Sequence, residues 1–177
     1  MTHSKRLPEP ANREELLRFW LIHAHKGRDR HDLAARRYES RRSGLGVPTI
    51  VMSAVVGTSV FASLGSQAAT WAQVSVGLLS VAAAVLSALQ TFFDYPARAE
   101  RHRLAGAKYK AIVRELEEVL AVPDSLMARD SAWLDALRQR FDALEEETPV
   151  VASRIFDEVE RRYASVSFVS EALALYR

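Results

Sequence analysis

The sequence predicts an all-α protein: a two-helix transmembrane hairpin with long cytoplasmic helices forming a helical bundle. Three observations lead there. From Ser43 to Phe93 there is no Asp, Glu, Lys, Arg or His, although charged residues make up 26 % of the 177-residue chain. Arginines crowd both ends of that stretch. Outside it, apolar residues recur at three- and four-residue spacing, and no segment alternates as a strand does.

The first cytoplasmic region, residues 1–42, carries 11 Lys/Arg against 6 Asp/Glu. It reads as one helix from Glu14 to Arg42, loosened at Gly27. The segment ahead of it, "MTHSKRLPEPANREELL", has no apolar core and is not expected to be a secretory signal.

The hairpin occupies residues 43–93, with spans at about 46–64 and 71–93 joined by "LGSQAAT" (Leu64 to Thr70). Each span approaches the ~20 residues that a helix needs to cross a bilayer core. A buried hairpin in a soluble bundle would show a charged face somewhere in such a length, and none is present. Arg36, Arg37, Arg41 and Arg42 precede the first span, and Arg98, Arg101 and Arg103 follow the second. The connector is uncharged, so both termini are expected in the cytoplasm of a multi-pass membrane protein. Trp71 sits where the outer aromatic belt belongs; Phe92, Phe93 and Tyr95 sit where the inner one does. Pro48 is expected in the first turn of span one, and Pro96 at a kinked exit from span two.

Small and hydroxyl residues share one helical face in each span: Thr49, Ser53 and Gly57 in the first, and Gln73, Gly77, Ser80, Ala84, Ser87 and Thr91 in the second. Such a face is either a helix–helix contact or the wall of a water-filled pore, and the two coexist in an oligomer. No charged ring is available to select ions.

The second cytoplasmic region, residues 94–177, holds 13 Lys/Arg against 16 Asp/Glu. A helix over Ala97–Ala121 presents Ile112, Leu116, Val119 and Leu120. "PDS" at 123–125 should break it and cap the next helix, which presents Leu134, Leu137, Phe141 and Leu144. Glu145–Glu147 fall at that helix's C-terminus, where the macrodipole disfavours acids, and Pro149 ends it. A last helix starts near Val150, with Phe156, Val159, Tyr163, Val166, Ser170 and Leu173 as its seam.

One phrase is written twice, "RHDLAARRY" at 30–38 and "RHRLAGAKY" at 101–109. Tyr38 lies nine residues from Val47 and His102 nine from Phe93; His31 and Tyr109 each lie sixteen away. Across an antiparallel hairpin, His31 is then level with Tyr109, and His102 with Tyr38. These four are the expected helix-pairing contacts, with Leu33 and Ala34 near Leu104 and Ala105. His23 and His25 add imidazoles nearby, but no Asp/Glu/His group has metal-ligand spacing.

Several functions drop out. The chain has no cysteine, so it has no disulfide, thiolate zinc site or cysteine nucleophile. A net charge of +2 is too weak a bias for nucleic-acid binding, and none is expected. "GLG" at 44–46 is too short for a phosphate loop, and no catalytic triad or carboxylate pair stands out, so neither enzyme nor cofactor is expected.

The stretches "RHDLAARRYESRRSGLGVPTIVMSAVVG", "VLSALQTFFDYPARAERHRLAGAKYKAIVRELEEVL" and "TPVVASRIFDEVERR" resemble those of SLATT domain proteins. These are two-transmembrane effectors associated with SMODS nucleotidyltransferases and SLOG sensors in bacterial conflict systems. The resemblance covers nearly the whole chain and rests on architecture rather than on an invariant motif. It implies a non-enzymatic, pore-forming or membrane-disrupting effector. The implied partners are further copies of itself and a cytosolic sensor or nucleotide-generating enzyme that switches it on. The residues alone leave a second reading, a non-conducting helical adaptor that docks a cytosolic partner at the bilayer.

Overall fold

The computed structural model describes residues 10–63, 69–122, 124 and 128–164. Among them the regular elements are helices: α1 (Arg13–Ser63), α2 (Thr70–Phe93), α3 (Tyr95–Ala121), α4 (Ser131–Glu147) and α5 (Ser153–Ala164). They form two compact units. One takes in Met1–Ala35 and Glu100–Arg177; the other is Arg36–Ala99.

α1 begins at a reciprocal cap. The Asn12 side chain accepts from Glu15 N at 2.8 Å, and Glu15 accepts from Ala11 N at 2.7 Å. The helix then continues for 51 residues, about 77 Å at 1.5 Å per residue. Separate helices ending at Arg42 and restarting near 46 are therefore corrected to one. Pro48 sits deep inside it rather than in a first turn.

The core of the first unit follows from two stripes. On α1 the buried residues are Leu17, Ala24, Gly27, His31 and Ala34, at spacings that keep one face. On α3 they are His102, Ala105, Gly106, Tyr109, Ile112, Val113, Leu116 and Val119. α4 adds Leu137, Phe141 and Leu144, with Trp20, Trp133, Leu134 and Leu120 packed around them. Gly27 does not loosen α1. A Cβ there would lie 2.6 Å from the Tyr109 ring, so the glycine is a notch for that ring. Leu104, expected in the contact, is 53 % exposed; its neighbour Gly106 is buried instead, against Asp32.

α3 ends at Ala121, just ahead of "PDS". Pro123 and Ser125 of that expected cap lie outside the described residues, and α4 itself is capped by Asp130, which accepts from Trp133 N at 2.8 Å. α4 has no basic residue in its last turn, yet its terminal acids are matched in space: His23 of α1 holds Glu145, and Lys108 of α3 holds Glu147.

α5 begins at Ser153, not Val150, and buries Ile155 and Val159. Phe156 of the expected seam is instead partly exposed, with the Arg30 guanidinium over its ring at 3.9 Å. Glu160 receives Lys26 at 2.7 Å and also Arg30; Tyr163 donates to Asp29 at 2.8 Å. Burial would raise the Glu160 pKa, but these two cations hold it down. Val166, Ser170 and Leu173 lie outside the described residues.

The two glycines predict opposite outcomes. Gly27→Ala forces a methyl into an aromatic ring, and overpacking of this kind costs roughly 1–3 kcal/mol. Gly106→Ala meets only the tip of the Asp32 side chain, at 2.6 Å, which can swing away. Removing a helix-interior glycine then gains about 0.5–1 kcal/mol. Thermal unfolding in detergent should show a lowered midpoint for the first variant and an equal or higher one for the second.

Candidate functional site

The second unit holds the apolar hairpin. Two of the chain's helices are long and apolar enough to cross a membrane, and almost none of their most apolar windows is buried. Val51, Val55, Leu78, Val81 and Val85 are among the large side chains left exposed. In a water-soluble fold such a surface is far beyond what a monomer tolerates; in a bilayer it is the ordinary lipid-facing surface.

α2 meets α1 along Ala72, Val76, Leu79, Ala83, Leu86 and Gln90, which are half-buried or buried. Gln90 is the polar link in this seam. Its amide donates to the Leu45 carbonyl at 3.2 Å and to Thr49 Oγ1 at 2.7 Å, while Thr49 Oγ1 donates to the same carbonyl at 2.8 Å. The link brackets Pro48, whose missing N–H leaves a gap in the backbone ladder of α1. Sequence reasoning passed over Gln90, although an amide at the inner end of an uncharged span was a visible signal.

The exit from α2 is a break rather than a Pro96 kink. Asp94 adopts a left-handed conformation (φ 43°), its N–H returns to the Gln90 carbonyl, and its own carbonyl and carboxylate receive Arg98 N and Ala97 N. One residue thus closes α2 and opens α3, with Pro96 in the first turn of α3.

The small and hydroxyl stripe lies beside the seam rather than in it. Gln73, Gly77, Ala84, Ser87 and Thr91 are exposed, and only Ser80 is half-buried. On α1, Ser53 is exposed, Thr49 is engaged by Gln90, and half-buried Gly57 has open space where a Cβ would be. At 100° per residue each stripe is centred roughly a quarter turn from the seam, in the same rotational sense. A two-fold axis normal to an antiparallel pair preserves that sense, so both stripes fall on one flank of the hairpin. The opposite flank carries Val51 and Val55 of α1 and Leu78, Ala82 and Leu89 of α2. The hairpin therefore has two unlike faces. Its hydroxyls are partly self-satisfied: Ser80 donates to the Val76 carbonyl at 2.9 Å and Thr91 to that of Ser87 at 3.2 Å.

Of the four residues of the repeated phrase, the structure brings three together. The His31 and Tyr109 rings stack with centroids 5.6 Å apart. His31 and His102 approach with Nδ1 atoms 2.9 Å apart, an imidazole–imidazole hydrogen bond that the sequence did not foretell. One Nδ1 must carry the proton and the other the lone pair. Tyr38 lies in the hairpin unit, against Tyr95 at 6.1 Å. Both imidazoles are buried. Burial, the neighbouring His102 and Arg30 push His31 down to about 4. Burial and Arg101 lower His102. Among the described residues no group of three or more His, Asp or Glu is placed to hold a metal.

The family described as "SMODS and SLOG-associating 2TM effector domain family 4" matches residues 17–165, which takes in the whole of the hairpin unit and most of the other. The chain belongs to this SLATT family. No curated protein and no solved structure matched it. Membership makes it a membrane effector-domain protein of conflict or defence systems, and SLATT is not a known enzyme family. The two apolar helices are thus the two transmembrane segments of the SLATT description.

The histidine pair gives this SLATT protein a specific acid sensitivity. The unfolded imidazoles take a proton near the ordinary 6.5, whereas the folded ones resist it. Their contribution is therefore complete above 6.5 and is lost as pH falls toward about 4, where His31 titrates. His25, lowered by burial and by Arg28, adds to the same window. The unfolding midpoint should fall between pH 7 and pH 5. A double variant, His31→Asn with His102→Asn, cannot titrate there and should lose most of that slope. An undiminished slope would assign the acid lability to other groups.

Proposed function

We propose that this protein oligomerises in the bacterial cytoplasmic membrane and permeabilises it when a partner sensor or a nucleotide signal triggers it, as part of an anti-phage or conflict system. The observation that carries this is the two-faced hairpin. The small and hydroxyl stripes of both helices share one flank, and the other carries mainly larger aliphatic side chains, with Ser59 and Ser75 among them turned back onto their own helix carbonyls. Without a hydrophobic driving force in lipid, small residues are what allow helices of neighbouring copies to approach closely. Hydroxyl and amide groups on the same flank suit a wetted conduit once copies assemble.

The role needs no catalysis. Family membership supports the effector role; the arginine flanks and the uncharged connector support cytoplasmic termini.

The flank assignment is tested by bulk. Ala84→Leu and Ser87→Leu fill the small face while leaving the span apolar, whereas Val51→Leu and Val55→Leu alter the aliphatic face only slightly. In cells expressing the protein with its trigger, the first pair should prevent collapse of the membrane potential at unchanged membrane abundance. The second pair should leave it intact. Equal loss at both faces would mean general damage to the span. A wild-type protein that never alters the potential, even when triggered, would favour the docking adaptor.

Orientation has its own test, free of background because the chain has no cysteine. Ser66→Cys should react with an impermeant thiol reagent in intact cells, and Ser4→Cys should not. Reaction at Ser4 alone would invert the topology.

A further inference from the structure

The hairpin leaves its apolar part through a neck of residues 36–47 and 92–99, and this neck has a composition of its own. Tyr38 faces Tyr95, Tyr95 stacks on Phe93 at 5.3 Å, and Phe93 meets Phe92 edge-on at 5.4 Å. The Arg41 guanidinium lies over the Tyr38 ring at 5.8 Å. Arg36, Arg41, Arg42 and Arg98 are exposed, and Arg37 is half-buried.

Position and charge point to the same ligand. Arg41 and Arg42 lie about 60° and 40° to either side of Tyr38 around α1, so one guanidinium flanks each side of the aromatic contact. Leu45, already in the hairpin seam, is only about 6 Å further along the helix axis from Arg41. The headgroup region of a bilayer is about 5–7 Å thick on each side, which sets these guanidinium groups at the level of lipid phosphates. Five arginines here oppose only two acids, Glu39 and Asp94. Asp94 is turned into the cap of α3 through Ala97 N. Glu39 pairs with Arg42 at 3.2 Å, but both side chains are more than half exposed, so the pair is weak and a phosphate can compete for the guanidinium.

We propose that this neck is a binding surface for anionic phospholipid, with Arg41, Arg42 and Arg98 receiving headgroup phosphates and the Tyr38–Tyr95 pair packing at glycerol level. The guanidinium is more weakly hydrated than an ammonium and forks onto a phosphodiester, and Arg41 has the Tyr38 face beside it. Zwitterionic lipid offers the same phosphate with its charge cancelled, so the surface selects for net negative headgroups. The proposal rests on the membrane placement of the hairpin but not on conduction.

The test uses the full chain in nanodiscs of phosphatidylcholine with one-third phosphatidylglycerol, and native mass spectrometry to count retained lipids. Each engaged arginine near the surface is worth about fivefold in affinity, so the wild type should retain phosphatidylglycerol over phosphatidylcholine by at least that factor. A triple variant, Arg41→Gln with Arg42→Gln and Arg98→Gln, should lose the enrichment. The corresponding triple lysine variant should keep most of it, which separates loss of charge from loss of fold. No enrichment in the wild type, or equal enrichment in the glutamine variant, overturns the proposal, as does equal loss in the lysine and glutamine variants. Displacement of phosphatidylglycerol by millimolar inorganic phosphate would assign the site to a soluble anion and overturn the lipid. A chain that does not enter even pure phosphatidylcholine discs fails earlier, on membrane placement itself.

Discussion

In a bilayer core a backbone carbonyl or amide has no water to turn to, so each must be satisfied within the protein. That constraint organises the hairpin. It explains why α1 runs unbroken from Arg13 to Ser63 through Gly44, Gly46 and Pro48, a cluster that would normally mark a boundary. Ending the helix at Pro48 would release several carbonyls at once, whereas continuing it sacrifices one N–H. The Gln90 amide and the Thr49 hydroxyl both donate into the turn that the proline disturbs. The same constraint turns hydroxyls such as those of Ser59, Ser75, Ser80 and Thr91 back onto their own helix.

The water-facing unit obeys a different rule, close packing around aromatic rings. Tyr109 fits only because residue 27 has no side chain, and its ring then stacks on His31, one helical turn further along the same face of α1. His31 in turn meets His102. The written-twice phrase is thus partly a packing code: it sets a histidine and a tyrosine level with their counterpart across two antiparallel helices. Two contacts join the copies: the His31–Tyr109 stack, which equal distance from the hairpin anticipates, and an imidazole pair, which it does not.

Legibility in the sequence followed the strength of the physical signal. The hairpin was readable because 51 uncharged residues are incompatible with a solvated face, and the α3 and α4 stripes because Ile112–Leu116–Val119 and Leu137–Phe141–Leu144 repeat at helical spacing. Boundaries were less so. A proline reads as local punctuation, but the tertiary setting decided otherwise: α1 absorbed Pro48. Long-range polar links were invisible, since nothing local to Glu160 names Lys26 and Arg30 as its partners, and nothing local to Glu145 names His23. Within the candidate site the residues of the small stripe could be chosen by periodicity. Their relation to the hairpin seam could not, because periodicity defines a face without saying what the face meets.

That relation decides what the hairpin can do. Two helices enclose no lumen, so a single copy offers a bilayer only an outside. If the small and hydroxyl residues had formed the seam, the outer surface would be aliphatic all round, and the hairpin would be no more than an anchor. Instead the seam is built mainly from Val76, Leu79, Ala83 and Leu86 with one amide link, and the small stripes of both helices sit together on one exposed flank. Lipid tails fill that flank poorly: small side chains leave shallow grooves along the helix, such as the open space at Gly57 and Gly77. A second hairpin fills such a groove better than a mobile acyl chain, with dispersion rather than hydrophobicity as the gain. Several copies meeting through these flanks would turn the hydroxyls and Gln73 toward a shared axis. The unlike faces of one hairpin are thus what the proposed assembly rests on.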